Sequence, residues 1–301
     1  MTLVHERKLP KNVVISSIFA VLATVFFVIN DATIKFLSIQ DIKFYHFIFY
    51  GTPAYLVMPI YLLVSGQFKT KMVASNYLIP ITRGLIYVPM PFLSFWALKY
   101  VSLPEFTTLT MAAPIFSLIF SIFLLKERIN IFLTLSLCFG ALGVLLVTKP
   151  GFESFNIFFL VVLFNAFLIS LTTLLVNKYN SIISSEGYFV FGGLFVHGFA
   201  VILFVFDPRF FDYKTLSLMV FASIFVNIAI FLLVVAFQKA QSSYASVSCL
   251  NYLQILWSVL VGVIIFEQLL DVVSIVGGLF IILSGVISVL AQSLQVKKSV
   301  G

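Results

Sequence analysis

Ten stretches of about twenty apolar residues fill almost the whole chain, and they fall into two sets of five. The hydrocarbon core of a bilayer is roughly 30 Å thick, so a helix needs about 20 apolar residues to cross it. The pattern therefore predicts an all-α integral membrane protein with ten transmembrane helices. The expected spans are residues 12–37, 43–64, 76–99, 103–125, 129–148, 155–177, 184–206, 214–238, 243–266 and 271–293.

The composition excludes a soluble globule. Hydrophobic residues make up 61% of the chain and charged residues 10%, whereas an ordinary soluble domain has roughly 45–50% and 25%. The lipid bilayer is therefore the expected surrounding of most of the surface. We interpret the formal net charge of +7 as a signal of membrane orientation, and we expect no nucleic-acid partner.

The distribution of Lys and Arg around the spans predicts that both termini face the cytoplasm. The side that carries the amino terminus holds Arg7, Lys8, Lys11, Lys69, Lys71, Lys126, Arg128, Lys178, Lys239, Lys297 and Lys298. The opposite side holds Lys35, Lys43, Lys99, Lys149, Arg209 and Lys214. We expect a multi-pass protein of the bacterial cytoplasmic (inner) membrane.

Two sets of five spans also indicate an internal duplication, with residues 1–150 as the first repeat and 151–301 as the second. Because five is odd, the two units must cross the membrane in opposite directions. Setting Phe95–Glu127 against Val235–Glu267 without a gap aligns a helix that ends in a basic residue, a tight turn, a second helix and a closing glutamate. The alternative is ten unrelated spans.

A polar stripe marks the ninth span. Its members are spaced like one face of a continuous α-helix, and they are Tyr244, Ser248, Asn251, Gln254 and Ser258. Lipid cannot satisfy the amides of Asn251 and Gln254 at mid-membrane. The stripe predicts a hydrated cavity that binds substrate, with interhelical hydrogen bonds as the simpler alternative.

The proposed repeat sets this stripe opposite the fourth span, which carries Thr108, Thr110 and Pro114. These residues are expected on the facing wall of the same cavity. Proline is concentrated in the spans of the first half, and an interior proline kinks a helix. The third span, with Pro80 and Pro89 followed closely by Pro91, should therefore be bent.

Ionisable groups at membrane depth are further candidates. Arg83 could contact an anionic group of the substrate or extend to the membrane surface. Asn30 and Asp31 could take part in coupling or gating, or Asp31 could simply pair with Lys35 one turn on.

His197 could relay protons, or it could be satisfied by a backbone carbonyl. Tyr87 and Trp257 are candidates for stacking on a ligand ring. The spans contain no pattern typical of a metal site or of an intramembrane enzyme, so we expect no catalytic residue, metal or cofactor.

The order of several short motifs resembles the EamA-like ten-helix members of the drug/metabolite transporter superfamily. The motifs are residues 30–35 (NDATIK), 82–84 (TRG), 96–104 (WALKYVSLP), 113–114 (AP) and 125–128 (LKER). The resemblance implies two inverted five-helix repeats around a central cavity lined by the fourth and ninth helices, among others. Members of this subgroup carry riboflavin, S-adenosylmethionine, amino acids and other metabolites.

The sequence therefore predicts a secondary transporter that moves a small organic metabolite by alternating access. An amino acid, a vitamin or a nucleoside-like compound is the expected substrate, and a monomer or homodimer the expected assembly. The alternative is a passive channel for a small solute.

Overall fold

A computed structural model of the chain describes residues 11–38, 42–101, 103–126, 131–148, 157–240, 243–267 and 272–299, and every regular element in them is helical. The helices of the first half are α1 (Lys11–Ser38), α2 (Phe44–Val64), α3 (Phe68–Met72), α4 (Leu78–Tyr87), α5 (Pro89–Tyr100), α6 (Leu103–Thr110), α7 (Ala113–Phe123) and α8 (Ile131–Thr148). Those of the second half are α9 (Ile157–Lys178), α10 (Ser185–Phe206), α11 (Tyr213–Ala240), α12 (Tyr244–Cys249), α13 (Leu253–Phe266) and α14 (Val272–Ser299).

Seven helical segments within the described ranges are long and apolar enough to cross a bilayer. They are Asn12–Leu37, Phe44–Val64, Leu78–Tyr100, Ile157–Lys178, Ser185–Phe206, Tyr213–Ala240 and Val247–Phe266. Two shorter apolar helical stretches are Ile131–Gly143 and Ile275–Ser284. Large apolar side chains such as Val64, Phe206 and Ile264 are exposed on the outside of the bundle, where lipid would cover them. The chain is an all-α membrane protein.

The regular helix of the third predicted span is interrupted at its prolines. Helix α4 ends at Tyr87, and Pro89 opens α5 with Val88 between them. Pro89 has no N–H to give to the Leu85 carbonyl, and the Val88 N–H takes its place at 3.2 Å. A bond between residues three apart thus takes the place of a bond between residues four apart at this interruption.

The segments 103–126 and 243–267 are both interrupted near the middle. Pro114 cannot donate to the Thr110 carbonyl, and α6 and α7 are separated by Met111 and Ala112. In the second half, a 3-10 turn at Leu250–Tyr252 separates α12 from α13 without any proline. Both breaks lie where the cavity described below is found.

Helices α2 and α10 pack antiparallel, and ion pairs join the residue before α2 and a residue of α3 to the two ends of α10. At one end Lys43 Nζ lies 2.9 Å from Asp207 Oδ2, and the Tyr45 hydroxyl also donates to this carboxylate. At the other end Lys71 Nζ lies 2.8 Å from Glu186 Oε1. These two ion pairs connect the segments on either side of α2 to the second half of the chain.

Helices α8 and α14 also pack antiparallel. The Ser136 hydroxyl donates to the Ser284 carbonyl at 2.9 Å, and the Ser284 hydroxyl donates to the Ser136 carbonyl at 2.7 Å. Two turns along α8, Gly143 lies against the Gly277 carbonyl. Small residues let the two backbones approach closely, as is common between membrane helices.

Candidate functional site

A cavity of about 220 Å³ lies at the centre of the bundle, between the two broken segments. Polar residues from both halves of the chain line it, and they are Asn30, Asp31, Tyr87, Ser94, Thr110, Asn165, His197, Ser223, Asn227, Asn251 and Gln254. Aromatic rings complete the wall, including those of Phe47, Phe95 and Phe189. The cavity therefore combines hydrogen-bonding groups with flat apolar surfaces, which is typical of a binding site for a small organic molecule.

Asp31 is the carboxylate of the cavity, and it is only 9% exposed. Asn30 Nδ2 donates to its Oδ1 at 3.2 Å, and Gln254 Nε2 donates to its Oδ2 at 3.3 Å. Among the described residues no cation forms an ion pair with it. Two amides therefore solvate a carboxylate that has no counter-charge in the described part of the protein.

Lys35 does not pair with Asp31, although the i, i+4 spacing had suggested this. Its ammonium group donates at 2.9 Å to the carbonyls of Leu98 and Val101, at the end of α5. The last carbonyls of a helix have no partner within it, and they accept from a lysine readily. Lys35 thus closes the end of α5 and leaves Asp31 to the cavity.

Three further amides lie at the cavity wall. Asn165 Nδ2 donates to Ser94 Oγ at 2.9 Å, and Asn227 Nδ2 donates to the Ser223 carbonyl at 2.8 Å. Asn251 lies in the 3-10 turn between α12 and α13. A 3-10 turn has poorer backbone hydrogen bonds than an α-helix and often marks a functional position, which fits a residue at the edge of a cavity.

His197 reaches the cavity from α10. Its ring stacks on Tyr55 with the centroids 4.4 Å apart, and its Nδ1 lies 3.0 Å from Thr52 Oγ1. The Thr52 hydroxyl also lies 3.0 Å from the Ile48 carbonyl, to which it donates. The hydrogen of the Nδ1–Thr52 contact therefore belongs to His197, and in the neutral ring Nε2 is an acceptor.

Arg83 neither extends to the membrane surface nor lines the cavity. Its side chain is 1% exposed, with Nη1 donating to the Tyr188 carbonyl at 2.8 Å and Nη2 to the Tyr87 hydroxyl at 3.2 Å. The guanidinium carbon lies 4.7 Å from the centre of the Tyr87 ring. Gly192 makes this position possible, since a Cβ there would be 2.8 Å from Nη1. Arg83 lies behind Tyr87, which itself faces the cavity.

The cavity brings together seven of the residues that the sequence singled out, which are Asn30, Asp31, Tyr87, Thr110, His197, Asn251 and Gln254. Several others lie elsewhere. Trp257 donates through Nε1 to Thr24 Oγ1 at 3.1 Å, and Ser248 and Ser258 are fully buried in protein away from the cavity lining. Pro114 sits at the start of α7 rather than on the wall. Thr108 lies in α6, and its side chain is outside the described part of the chain.

Ser94 and Ser223 are cavity residues that sequence analysis missed. Both lie on mainly apolar helices. The Ser94 hydroxyl accepts from Asn165, whereas the Asn227 amide bonds to the backbone carbonyl of Ser223 and not to its hydroxyl. A single serine in a membrane span carries little signal by itself, because it can satisfy its hydroxyl on the backbone of its own helix.

The comparisons with known proteins agree with this picture. The model of the EamA-like transporter family matches residues 14–149. Two proteins from Helicobacter pylori, strains J99 and 26695, are each 24% identical to this chain over 217 residues and are described as uncharacterized transporters. The matched region covers 68% of this chain and 71% of each relative.

One crystal structure, of a protein given no more specific description, shares the fold with a TM-score of 0.72. The match covers 93% of this chain and 98% of that chain at 16% identity, so the likeness concerns the fold alone. The family model, which lies within the first half of the chain, and the two relatives make this chain similar to EamA-like transporters and point to a transporter rather than an enzyme, and the apolar helices make it a multi-pass membrane protein.

Proposed function

We propose that this protein is a secondary transporter that moves a small organic metabolite across the bacterial cytoplasmic membrane by alternating access. The observation that carries the proposal is a cavity lined by both halves of the chain, with polar groups on a mainly apolar wall, at the level where α6–α7 and α12–α13 are both broken. Broken helices at the membrane midplane are where secondary transporters bind their substrates. The volume of about 220 Å³ is below the roughly 300–1,000 Å³ of pockets for drug-sized ligands, which favours a small metabolite.

The packing of the helices supports ten spans in two inverted repeats. With α4–α5, α6–α7 and α12–α13 each counted as one span, the two halves contain five spans each. In the repeat relation α1 corresponds to α9, α2 to α10, and α4–α5 to α11. The contact of α1 with α11 then corresponds to that of α9 with α4–α5, and the contact of α2 with α11 to that of α10 with α4. Because α6–α7 corresponds to α12–α13, the contact of α9 with α6–α7 likewise corresponds to that of α1 with α12–α13.

The direction of the paired helices fits the same two-fold relation. Corresponding helices of inverted repeats run in opposite directions, and α8 with α14 and α2 with α10 are antiparallel pairs of this kind. The repeat relation also pairs the break after Thr110 with the turn that begins at Leu250. Each observation supports repeats at residues 1–150 and 151–301.

The test is transport in proteoliposomes. Amino acids, vitamins and nucleosides would be screened for thermal stabilisation of the purified protein, and each hit assayed for uptake. Counterflow stimulated by substrate on the far side is expected, because a carrier shows it and a passive channel does not. Uptake that never saturates and shows no counterflow would instead establish a channel.

Substitution of the cavity amides tests the site. Gln254→Leu and Asn251→Leu should each abolish saturable uptake without preventing insertion, because the leucine side chain cannot hydrogen-bond a substrate. Gln67→Leu is the matched control, since Gln67 is an exposed amide before α3. Unchanged kinetics in both cavity variants would remove these two residues from the binding site.

A further inference from the structure

The amide groups around the cavity are oriented by their partners. Asn30 and Gln254 each face a carboxylate oxygen of Asp31, and Asn227 faces the Ser223 carbonyl. Carboxylate and carbonyl oxygens only accept hydrogen bonds. The NH₂ group of each of these three amides must therefore point at the protein, and it is already used.

The oxygen atoms of these amides therefore remain available to accept hydrogen bonds from a ligand. Asn30 Oδ1 is buried without a hydrogen-bond partner among the described residues. One end of the Asn165 amide is also unpartnered, but its partner Ser94 Oγ can donate or accept and does not fix which end. The side chains of Asn30 and Asn165 are only 6% and 2% exposed. An unsatisfied buried acceptor costs free energy, so the Asn30 position indicates a ligand that donates.

Other cavity groups also act as acceptors. The Thr110 hydroxyl donates to the Phe106 carbonyl at 2.8 Å, so its oxygen can only accept from a ligand. His197 Nε2 is an acceptor in the neutral ring, as argued above. Tyr87 is the exception, because its hydroxyl accepts from Arg83 and can donate its own hydrogen.

The charges around the cavity point in the same direction. Asp31 contributes a carboxylate without a counter-cation in the described part of the chain, and an isolated carboxylate is costly at membrane depth. Arg83, which could have attracted an anion, lies behind Tyr87 with both terminal nitrogens bonded to protein. The wall of the cavity is thus rich in hydrogen-bond acceptors and includes the carboxyl group of Asp31.

We propose that the cavity binds organic cations with a protonated amine, whose ammonium group pairs with Asp31 and donates to the surrounding amide oxygens. This proposal rests on the transport function proposed above and specifies its substrate class. The apolar part of the ligand would lie against the rings of Phe47, Phe95 and Phe189. Aromatic faces also attract a cation, so the rings and the carboxylate favour the same ligand.

Three probes of one shape and different charge test the proposal, namely phenethylamine, 2-phenylethanol and phenylacetate. Binding to the purified full-length protein would be measured by thermal shift, and uptake of the radiolabelled compounds in proteoliposomes. Phenethylamine should bind at least about tenfold more tightly than the neutral and the anionic probe. Asp31→Asn should weaken amine binding about 30-fold, as expected when one partner of a buried charge pair is removed, and leave 2-phenylethanol binding unchanged.

Two further variants separate the charge from folding. Asp31→Glu keeps the carboxylate and should retain the preference for the amine, even if Asp31→Asn fails to fold. Glu267→Gln removes an exposed carboxylate at the end of α13 and should leave all three affinities unchanged.

Equal affinity for the three probes, preference for phenylacetate, or no binding of the amine would overturn the proposal. So would uptake that depends on a pH gradient through Asp31 while amine affinity stays the same in Asp31→Asn, because the carboxylate would then serve protons. Counterflow of a neutral or anionic hit from the metabolite screen would leave the carrier function standing and refute only the cationic substrate. Absence of counterflow, with amine binding lost in Asp31→Asn, would refute the carrier and keep the cation site.

Discussion

Replacing Gly143 with alanine should weaken the contact between α8 and α14. A Cβ at this position would lie 2.7 Å from the Gly277 carbonyl oxygen and 2.8 Å from Ile281 Cγ1, whereas ordinary contacts begin at 3.4 Å. To relieve the clash with the carbonyl oxygen, the two helices must move apart by about 0.7 Å, the difference between 3.4 and 2.7 Å. The obstacle is backbone, so a change of side-chain rotamer cannot remove it.

The cost follows from that separation. Moving the helices apart by about 0.7 Å forfeits roughly a quarter to a half of the dispersion attraction across the contact. It also stretches the reciprocal bonds of Ser136 and Ser284, now 2.9 and 2.7 Å, and such interhelical bonds contribute about 0.6 kcal/mol each in a membrane. With the usual cost of overpacking, about 1–3 kcal/mol, we expect the free energy of unfolding to fall by about 2 kcal/mol.

The measurement is SDS-induced unfolding in mixed micelles, followed by circular dichroism. Gly198→Ala in α10 is the matched control, because a Cβ there would meet nothing within 4 Å. Its unfolding free energy should stay the same or rise, since alanine favours helix over glycine. The same unfolding free energy for both variants would refute the close approach of α8 and α14 at Gly143.

Two other predictions concern hydrogen bonds outside the cavity. Hydrogen bonds from Tyr45 and Lys43 hold the pKa of Asp207 at about 2, below its ordinary value of 3.8. The stability that Asp207 contributes is therefore complete above about pH 4 and is lost as the pH falls towards 2. Melting curves of the wild type and of Asp207→Asn should differ at pH 5 and converge at pH 2. A difference that stays constant with pH would contradict this prediction. Tyr244→Phe removes a hydroxyl that bonds to the Ser170 carbonyl at 3.0 Å and to Ser117 Oγ at 3.1 Å. It should lower the unfolding free energy by about 1–3 kcal/mol, and an unchanged value would show that the cluster adds no stability.

The sequence predicted the membrane class and several of the polar residues that line the cavity, because these depend on features that are visible locally. A run of apolar residues has few alternatives to a spanning helix, and an amide or carboxylate inside such a run must find a polar surrounding. Asn30, Asp31, Asn251 and Gln254 were identified in this way, and all four line the cavity.

The polar stripe of the ninth span shows where this reasoning stops. Its five residues share one face only if the helix is continuous, and the 3-10 turn at Leu250–Tyr252 interrupts it. Asn251 and Gln254 reach the cavity, whereas Tyr244 turns to a hydroxyl cluster with Ser117 and Ser170. Without a proline or glycine at the break, the spacing of the stripe contains no sign of it.

The partners of charged groups were also beyond the sequence. Lys35 is one helical turn from Asp31, yet it bonds to the end of α5. Arg83 donates through Nη1 to the carbonyl of Tyr188, a residue about one hundred positions away. Such contacts depend on which helices become neighbours, which spacing along one helix cannot reveal.

The ion pairs that join the α2–α3 segment to the two ends of α10 restrict how the molecule can open. In one conformation Lys43 holds Asp207 at one face while Lys71 holds Glu186 at the other. Separation of these two helices at either membrane face would break one of the two ion pairs. We therefore expect α2 and α10 to move together as one rigid unit. The passage to the cavity would then open between other helices.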